Sequence, residues 1–256
     1  MDKFKRTTRK LYYDDAYLCK CPARITKIGS DYIELDATVA YPEGGGQESD
    51  HGFIVSIDGI GVRFIHARKV YTTKINIHDF PDIRVDGVIE HVVHEEDREL
   101  LGQFHAGMEV VVQIDVRRRA CLSLSHTASH LIYMAISKVR PDAVARTLGC
   151  HIGTGTARFD FAVEDRVSPE QLAEIERLAN ALVRRNSTIR VYPHPEHADA
   201  RYWECEGEVI PCGGTHIDST ALVGRLIVRR KSMGKGKERI ACEFSDAVLK
   251  TEAYHS

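Results

Sequence analysis

Two short spacings far apart in the chain, His126-Thr-Ala-Ser-His130 and Cys212-Gly-Gly-Thr-His216, each set two metal-competent side chains four residues apart. Three imidazoles and one thiolate make a tetrahedral donor set for Zn²⁺, which binds nitrogen and sulfur at about 2.0–2.3 Å. Half-sites so widely separated meet only if the chain folds around them. A single domain must therefore press the segment around 126–130 against the segment around 212–216. Either pair alone is weak evidence, because such spacings arise by chance and a histidine often satisfies a core hydrogen bond instead. Together they are complementary halves of one shell. Zinc-protease signatures do not apply, since Thr127, Ala128 and Ser129 supply no carboxylate base between the histidines. Four protein ligands read as a closed structural site, whereas a catalytic site keeps a position for water or substrate. Both readings stay open at this level.

A chain of 256 residues is long enough for one large domain or two ordinary ones with a proper core. No run of about 18 apolar residues is present to cross a membrane, and the charged start Met1–Arg6 lacks the apolar segment of a secretory signal. The 7 cysteines, odd in number and irregular in spacing, do not form a disulfide framework. These features predict a reduced, cytoplasmic chain in which Cys212 is free as a thiolate ligand. Cys19-x-Cys21 has no matching pair and reads as ordinary packing. Net charge is −2, yet residues 1–116 hold 14 basic against 20 acidic residues and 117–256 hold 21 against 17. Within the second half, Arg225, Arg229, Arg230, Lys231, Lys235, Lys237 and Arg239 crowd one strip with only Glu238 opposing them. Such a strip binds phosphates or blunts a solvated strand edge.

The pattern predicts an α+β chain in two parts. Residues 1–109 read as an N-terminal small antiparallel β-barrel or sandwich, with strands at 23–28, 32–39, 52–57, 61–67 and 86–93 and a charged surface passage over 94–109. Residues 110–256 read as an α+β domain. A strand over 109–116 leads to a helix from about Arg117 to Val139, closed by Pro141. Its stripe of Cys121, Leu124, Ala128, Leu131, Ala135 and Val139 faces a core, with His126 and His130 turned nearly opposite Ala128. Ser168-Pro-Glu-Gln171 is a capping box for a second helix that buries Leu172, Ile175, Leu178, Leu182 and Val183. Further strands are predicted at 157–163, 188–192, 222–230 and 238–244.

Three consecutive glycines, in Tyr41-Pro-Glu-Gly44-Gly45-Gly46-Gln47, contribute no side chain to a strand and permit positive φ or close backbone approach. They are either an ordinary hairpin turn or a loop pressed against a ligand, with Gln47 presenting its amide.

Taken together, these residues resemble the alanyl-tRNA editing family, comprising free-standing AlaX-type deacylases and the editing domain of alanyl-tRNA synthetase. The resemblance is carried by Gly44 to Gln47 with Asp50 and Gly52, by His126-Thr127-Ala128-x-His130-Leu131, by Cys212-Gly-Gly-Thr215-His216 and by Lys235-Gly-Lys-Glu-Arg239-Ile240, in the family's order over 41–240. It implies a β-barrel-like domain joined to a zinc-containing editing domain of the threonyl/alanyl-tRNA synthetase type, in a medium, two-domain arrangement. It also implies ATP-independent hydrolysis of the ester on mischarged tRNA(Ala), serine first and glycine second, with the acylated acceptor end as partner. On that resemblance His126, His130, Cys212 and His216 hold Zn²⁺. Gly45, Gly46, Gln47 and Ser129 carry catalysis, and Gly44, Thr127, Thr215 and Arg239 contact substrate. Members often have Thr where this chain has Ser129, which keeps the hydroxyl and loses the methyl. Two other readings stand beside it: a deacylase of another small-amino-acid tRNA such as Ser-tRNA(Thr), and a zinc-stabilised tRNA-binding module without turnover.

Overall fold

The computed structural model describes residues 6–256. Alternation shapes the first half: Val110, Val112 and Ile114 of Glu109–Ile114 and Cys21, Ala23 and Ile25 of Lys20–Ile28 are buried, with less buried neighbours between them. A period of two turns one face of each strand to a core. Six strands close into an antiparallel barrel, in the order 109–114, 20–28, 32–35, 88–93, 61–70, 52–56 and back to 109–114. Closure removes free sheet edges. Ile25, Ile33, Leu35, Ile54, Phe64, Ile89 and Val112 fill the interior, each gaining about 1.5–3 kcal/mol by leaving water. Strand 109–114 pairs with barrel strands on both sides, so the barrel runs past residue 109, where the sequence pattern ends it. The passage over 94–109 contains a 3-10 helix, Glu95–Gln103.

His91 is a fully buried polar residue of the barrel. The His91 Nδ1–H donates to the Ile33 carbonyl at 3.1 Å, while Nε2 accepts from the Thr38 hydroxyl at 2.8 Å. Burial holds its pKa down at about 4. An unfolded histidine takes a proton near pH 6.5, so below that pH the unfolded chain binds more protons than the native one. Stability is therefore expected to fall from about pH 6.5 to about 4 and to level off below, by about 3 kcal/mol from this residue. Urea midpoints of the parent should drop more steeply over that window than those of His91→Gln. Parallel pH profiles for the two proteins would refute the assignment.

From the barrel a hairpin arm, Thr73–Ile77 and Phe80–Val85, reaches the second half of the chain. Its tip is held by the Phe80 ring, 5.0 Å from Tyr202, and by the Tyr202 hydroxyl donating to Asp79 at 2.9 Å.

The long helix Val116–Val139 starts where the Asp115 side chain accepts from Arg118 N, and it ends before Pro141, which disfavours helical backbone at the preceding residue. Leu124, Ala128, Leu131 and Ala135 of the predicted stripe are core residues, while Cys121 is half-buried. The helix is also enclosed on its other sides, with Leu122, Ile132, Met134 and Ile136 buried. An antiparallel sheet (147–153, 156–162, 237–244, 226–232) and the helix Pro169–Arg184 pack against it. The capping box of Ser168 and Gln171 is complete, and Ile175, Ala179, Leu182 and Val183 face the core. The strand expected from 222 begins at Leu226, because Thr220–Val223 is a 3-10 turn ended by Gly224. A three-stranded sheet, 190–193, 201–205 and 208–211, carries the chain to Cys212. Much of the basic strip lies on Leu226–Ser232, the edge strand of its sheet, where charge blunts pairing. All 7 cysteines are unpaired. No helix among the described residues is long and apolar enough to cross a membrane.

The two halves are tied by a fully buried ion pair. Arg119, on the first turn of the long helix, donates from Nε to both Asp50 oxygens at 3.0 and 3.1 Å, and from its Nη atoms to the carbonyls of Ala16 and Val39. Asp50 also accepts the Tyr41 N–H at 2.7 Å, which anchors the start of the glycine segment.

Candidate metal centre and cavity

Helical spacing of four puts His126 and His130 on one face, with ring centroids 5.1 Å apart. Strand Glu208–Pro211 delivers Cys212, and the following turn brings His216 to within 4.3 Å of the His126 ring, centroid to centroid. The ligand atoms of His126, His130, Cys212 and His216 all lie within 4.8 Å of one another. Cys212 Sγ is 3.3 Å from His126 Nε2 and 3.4 Å from His216 Nε2. The N···S edge of a zinc tetrahedron is about 3.5 Å. Both half-sites therefore meet.

Two of the three histidines are held by their outward ring atoms. His126 Nδ1–H donates to Gln47 Oε1 at 2.7 Å, and His216 Nδ1–H donates to Thr127 Oγ1 at 3.2 Å. Each bond leaves an Nε2 lone pair for a metal. His130 Nδ1 is buried without a partner among the described residues. Burial drives all three imidazoles toward the neutral form, His130 down to about 3, and pushes the Cys212 thiol up to about 12. Neutral imidazoles are ready ligands, and a bound cation reverses the thiol's preference by stabilising thiolate. Three nitrogens, one sulfur and no carboxylate fit a zinc ion.

Gly44–Gln47 is a tight turn, closed by Gly44 N to Gln47 O at 3.1 Å and Gln47 N to Gly44 O at 3.0 Å. Gly45 and Gly46 have φ of 58° and 85°, which suits a turn with two left-handed residues. The turn is clamped to strand 147–153 through Ile152 N to Gly46 O and Glu48 N to Ile152 O. Hairpin turn and site loop are thus the same structure. Among the described residues neither the Gly45 nor the Gly46 N–H has a hydrogen-bond partner.

Gln47 does not present its amide to the cavity. It is fully buried; Oε1 accepts from His126 and from Thr215 N at 3.1 Å, and Nε2 donates to Thr215 Oγ1 at 3.0 Å. Its physical place is behind the ligands, fixing His126 and the Cys212–His216 segment together. Close approach of that segment requires Gly214: a Cβ there would lie 2.1 Å from His126 Cε1 and 2.9 Å from Gln47 Oε1. Removing the Gln47 amide by Gln47→Leu is expected to weaken zinc binding about 10–100-fold. Competition against a chromophoric chelator measures this, and parental affinity in the variant would make the tie dispensable.

A cavity of about 620 Å³ opens over the cluster. Gly44, Gly45, His126, Ser129, His130 and Cys212 line it. Ser129 Oγ donates to the His126 carbonyl at 2.7 Å, so its oxygen retains acceptor capacity. Gly46, Thr127 and Thr215 lie outside the lining; Thr127 and Thr215 are buried behind the ligands, bonded to His216 and Gln47. Arg239 is likewise not at the cavity. It pairs with Asp160 on the adjacent strand at 2.6 and 2.8 Å, on the sheet face opposite buried Ile240 and Cys242. Tyr12, Tyr13, Tyr41, Tyr133, Cys150 and the arm residue Arg84 also line the cavity. No spacing relates them in sequence, and only the Tyr12-Tyr13 doublet and Tyr41 beside the glycines hinted at an aromatic wall.

Residues 189–241, which include Cys212 and His216, match the model of the threonyl and alanyl tRNA synthetase second additional domain. The alanine–tRNA ligase of Pyrococcus abyssi is 35% identical over 95% of this chain and 26% of the ligase. The alanyl-tRNA editing protein AlaX-M of Pyrococcus horikoshii is 31% identical over 91% of this chain and 96% of that protein. The chain belongs to the AlaX-type alanyl-tRNA editing family. It spans about a quarter of the ligases it matches, 26% for the Pyrococcus abyssi enzyme, and nearly all of the free-standing editing protein. In this member of the family, His126, His130 and Cys212 of the candidate metal cluster and Gly44 and Gly45 of the glycine turn are walls of one cavity.

Proposed function

We propose that this chain hydrolyses the ester joining serine, and secondarily glycine, to the terminal adenosine of tRNA(Ala). The observation that carries the reading is the meeting, in a single cavity, of the glycine turn with His126, His130 and Cys212 of the candidate ligand cluster. Its volume of about 620 Å³ lies in the range of small-molecule sites. The tyrosine wall shields an aminoacyl-adenosine from bulk water. The Gly45 N–H, free of other bonds and beside the cavity, is placed to receive the negative charge that develops on the ester oxygen. Ser129 Oγ accepts a hydrogen bond from a seryl hydroxyl, which alanine lacks. Gln47, Thr127 and Thr215 act as positioning residues behind the ligands. When held by the four ligands, zinc supplies Lewis-acid polarisation or anchoring of the aminoacyl group.

The need follows from discrimination. A pocket shaped for alanine excludes glycine weakly, and it rejects an added hydroxyl only about a hundredfold. A second site that accepts the hydroxyl clears the error. The complete donor set of four also supports the zinc-stabilised RNA-binding module, so the test separates the two. Purified, metal-analysed protein is offered seryl-, glycyl- and alanyl-tRNA(Ala) and seryl-tRNA(Thr), and ester loss is followed. Fastest loss is expected from seryl-tRNA(Ala), with alanyl-tRNA(Ala) at least about a hundredfold slower. Loss of none with zinc bound leaves the module, and fastest loss from seryl-tRNA(Thr) reassigns the substrate.

A further inference from the structure

Charge around the cavity is compensated on one side only. Two of its three acids are paired with lysines: Asp199 meets Lys10 Nζ at 2.5 and 2.6 Å and accepts the Asp86 N–H, and Asp82 meets Lys74 at 2.8 Å, while the third, Glu43, is largely exposed. Its cations are not paired. Among the described residues, Lys69, Arg84 and Arg201 have no carboxylate partner. Lys69 and Arg84 line the cavity, where Lys69 Nζ donates to the Arg84 carbonyl at 2.8 Å. Arg201 is 8% exposed, its Nε has no partner, and its guanidinium carbon lies 5.0 Å from the centroid of Tyr13, which lines the same cavity. Buried arginines are ordinarily paired. One set over an aromatic ring beside an open cavity, with no carboxylate on its guanidinium, suits an anion. Burial and neighbouring Lys10 hold the Lys69 pKa down to about 8, against the opposing pull of Asp199 and Asp86.

We propose that Lys69, Arg84 and Arg201 bind the phosphodiester backbone of the single-stranded acceptor end of the RNA, with Arg201 seated on Tyr13. The site rests on the reading of the cavity as an aminoacyl-tRNA site and extends it to the nucleotides before the terminal adenosine. Lys69 belongs to a barrel strand, Arg84 to the arm and Arg201 to strand Arg201–Cys205 of the second half. The RNA end is thus gripped by both halves of the fold. A stripe of unpaired cations beside an aromatic ring is how single strands are held without base readout.

The test uses the metal-loaded full chain and a fluorescent, uncharged ACCA tetraribonucleotide, titrated by anisotropy between about 50 and 200 mM salt. Lys69→Ala and Arg84→Ala are each expected to weaken binding and to lower the slope of log K against log salt by about 0.7, the value for one single-strand phosphate contact. Arg201→Lys, which keeps the charge and avoids an empty buried site, is expected to weaken binding while retaining the slope. Parental slopes in Lys69→Ala and Arg84→Ala overturn the proposal, as does the absence of salt-dependent binding by the parent. Slopes that fall as expected in a protein that hydrolyses no aminoacyl-tRNA would refute the hydrolase reading and leave this site standing. Hydrolysis of seryl-tRNA(Ala) with parental slopes in the variants would do the reverse.

Discussion

Cys212→Ala is expected to lower zinc affinity by more than about a hundredfold and to take hydrolysis of seryl-tRNA(Ala) down with it. Loss of an outer partner of a metal ligand commonly costs about 10–100-fold, and Cys212 is a ligand candidate itself. Its sulfur also brings the single negative charge in the set. Without it, three neutral imidazoles surround a dication in a site where burial already penalises charge. A metal that binds only the native chain makes stability follow affinity. At free zinc of about a thousand times the parental dissociation constant, a hundredfold loss of affinity removes about 2.7 kcal/mol of linkage. For a chain of this size that lowers the melting temperature by roughly 5–11 °C. Elemental analysis after gel filtration and a thermal melt measure both effects. A variant with full metal and parental activity would take Cys212 out of the site.

Asp50→Ala is expected to destabilise the fold by about 3–5 kcal/mol, because it strands the Arg119 guanidinium in the interior. Both side chains are fully buried, and Asp50 receives Arg119 Nε and the Tyr41 N–H together. The same change frees the start of the glycine turn. Replacing both partners with apolar residues, Asp50→Leu with Arg119→Met, removes the charge as well as its partner and should cost less than the single substitution. Urea unfolding of the three proteins decides the point. A single variant within about 1 kcal/mol of the parent would show that water or another group relieves the arginine.

Local pattern made much of this fold legible. Alternation in 109–114 and 20–28, the capping box at Ser168 and the Pro141 stop each act within a few residues. The arm at 73–85 was not legible: both its strands are largely exposed, and no glycine marks its turn, so the alternation that betrays a buried face is missing. Arg239 shows a related limit of sequence alone. A basic residue in a strand looks the same in sequence whether it meets a phosphate or Asp160 on the neighbouring strand.

By itself the sequence determined the donor chemistry, three imidazoles and a thiol in two clips of four, and the elements that carry them, because side-chain type and helical or strand period are local properties. Tertiary structure alone decided what surrounds those donors. Gln47 reaches Thr215 across 168 residues, and Arg119 meets Asp50 across 69. Whether an amide faces substrate or locks a ligand, and whether a cation is spent on a carboxylate or left open, depends on which distant backbone arrives beside it. That is set by the packing of barrel, helix and sheet, which no spacing along the chain encodes.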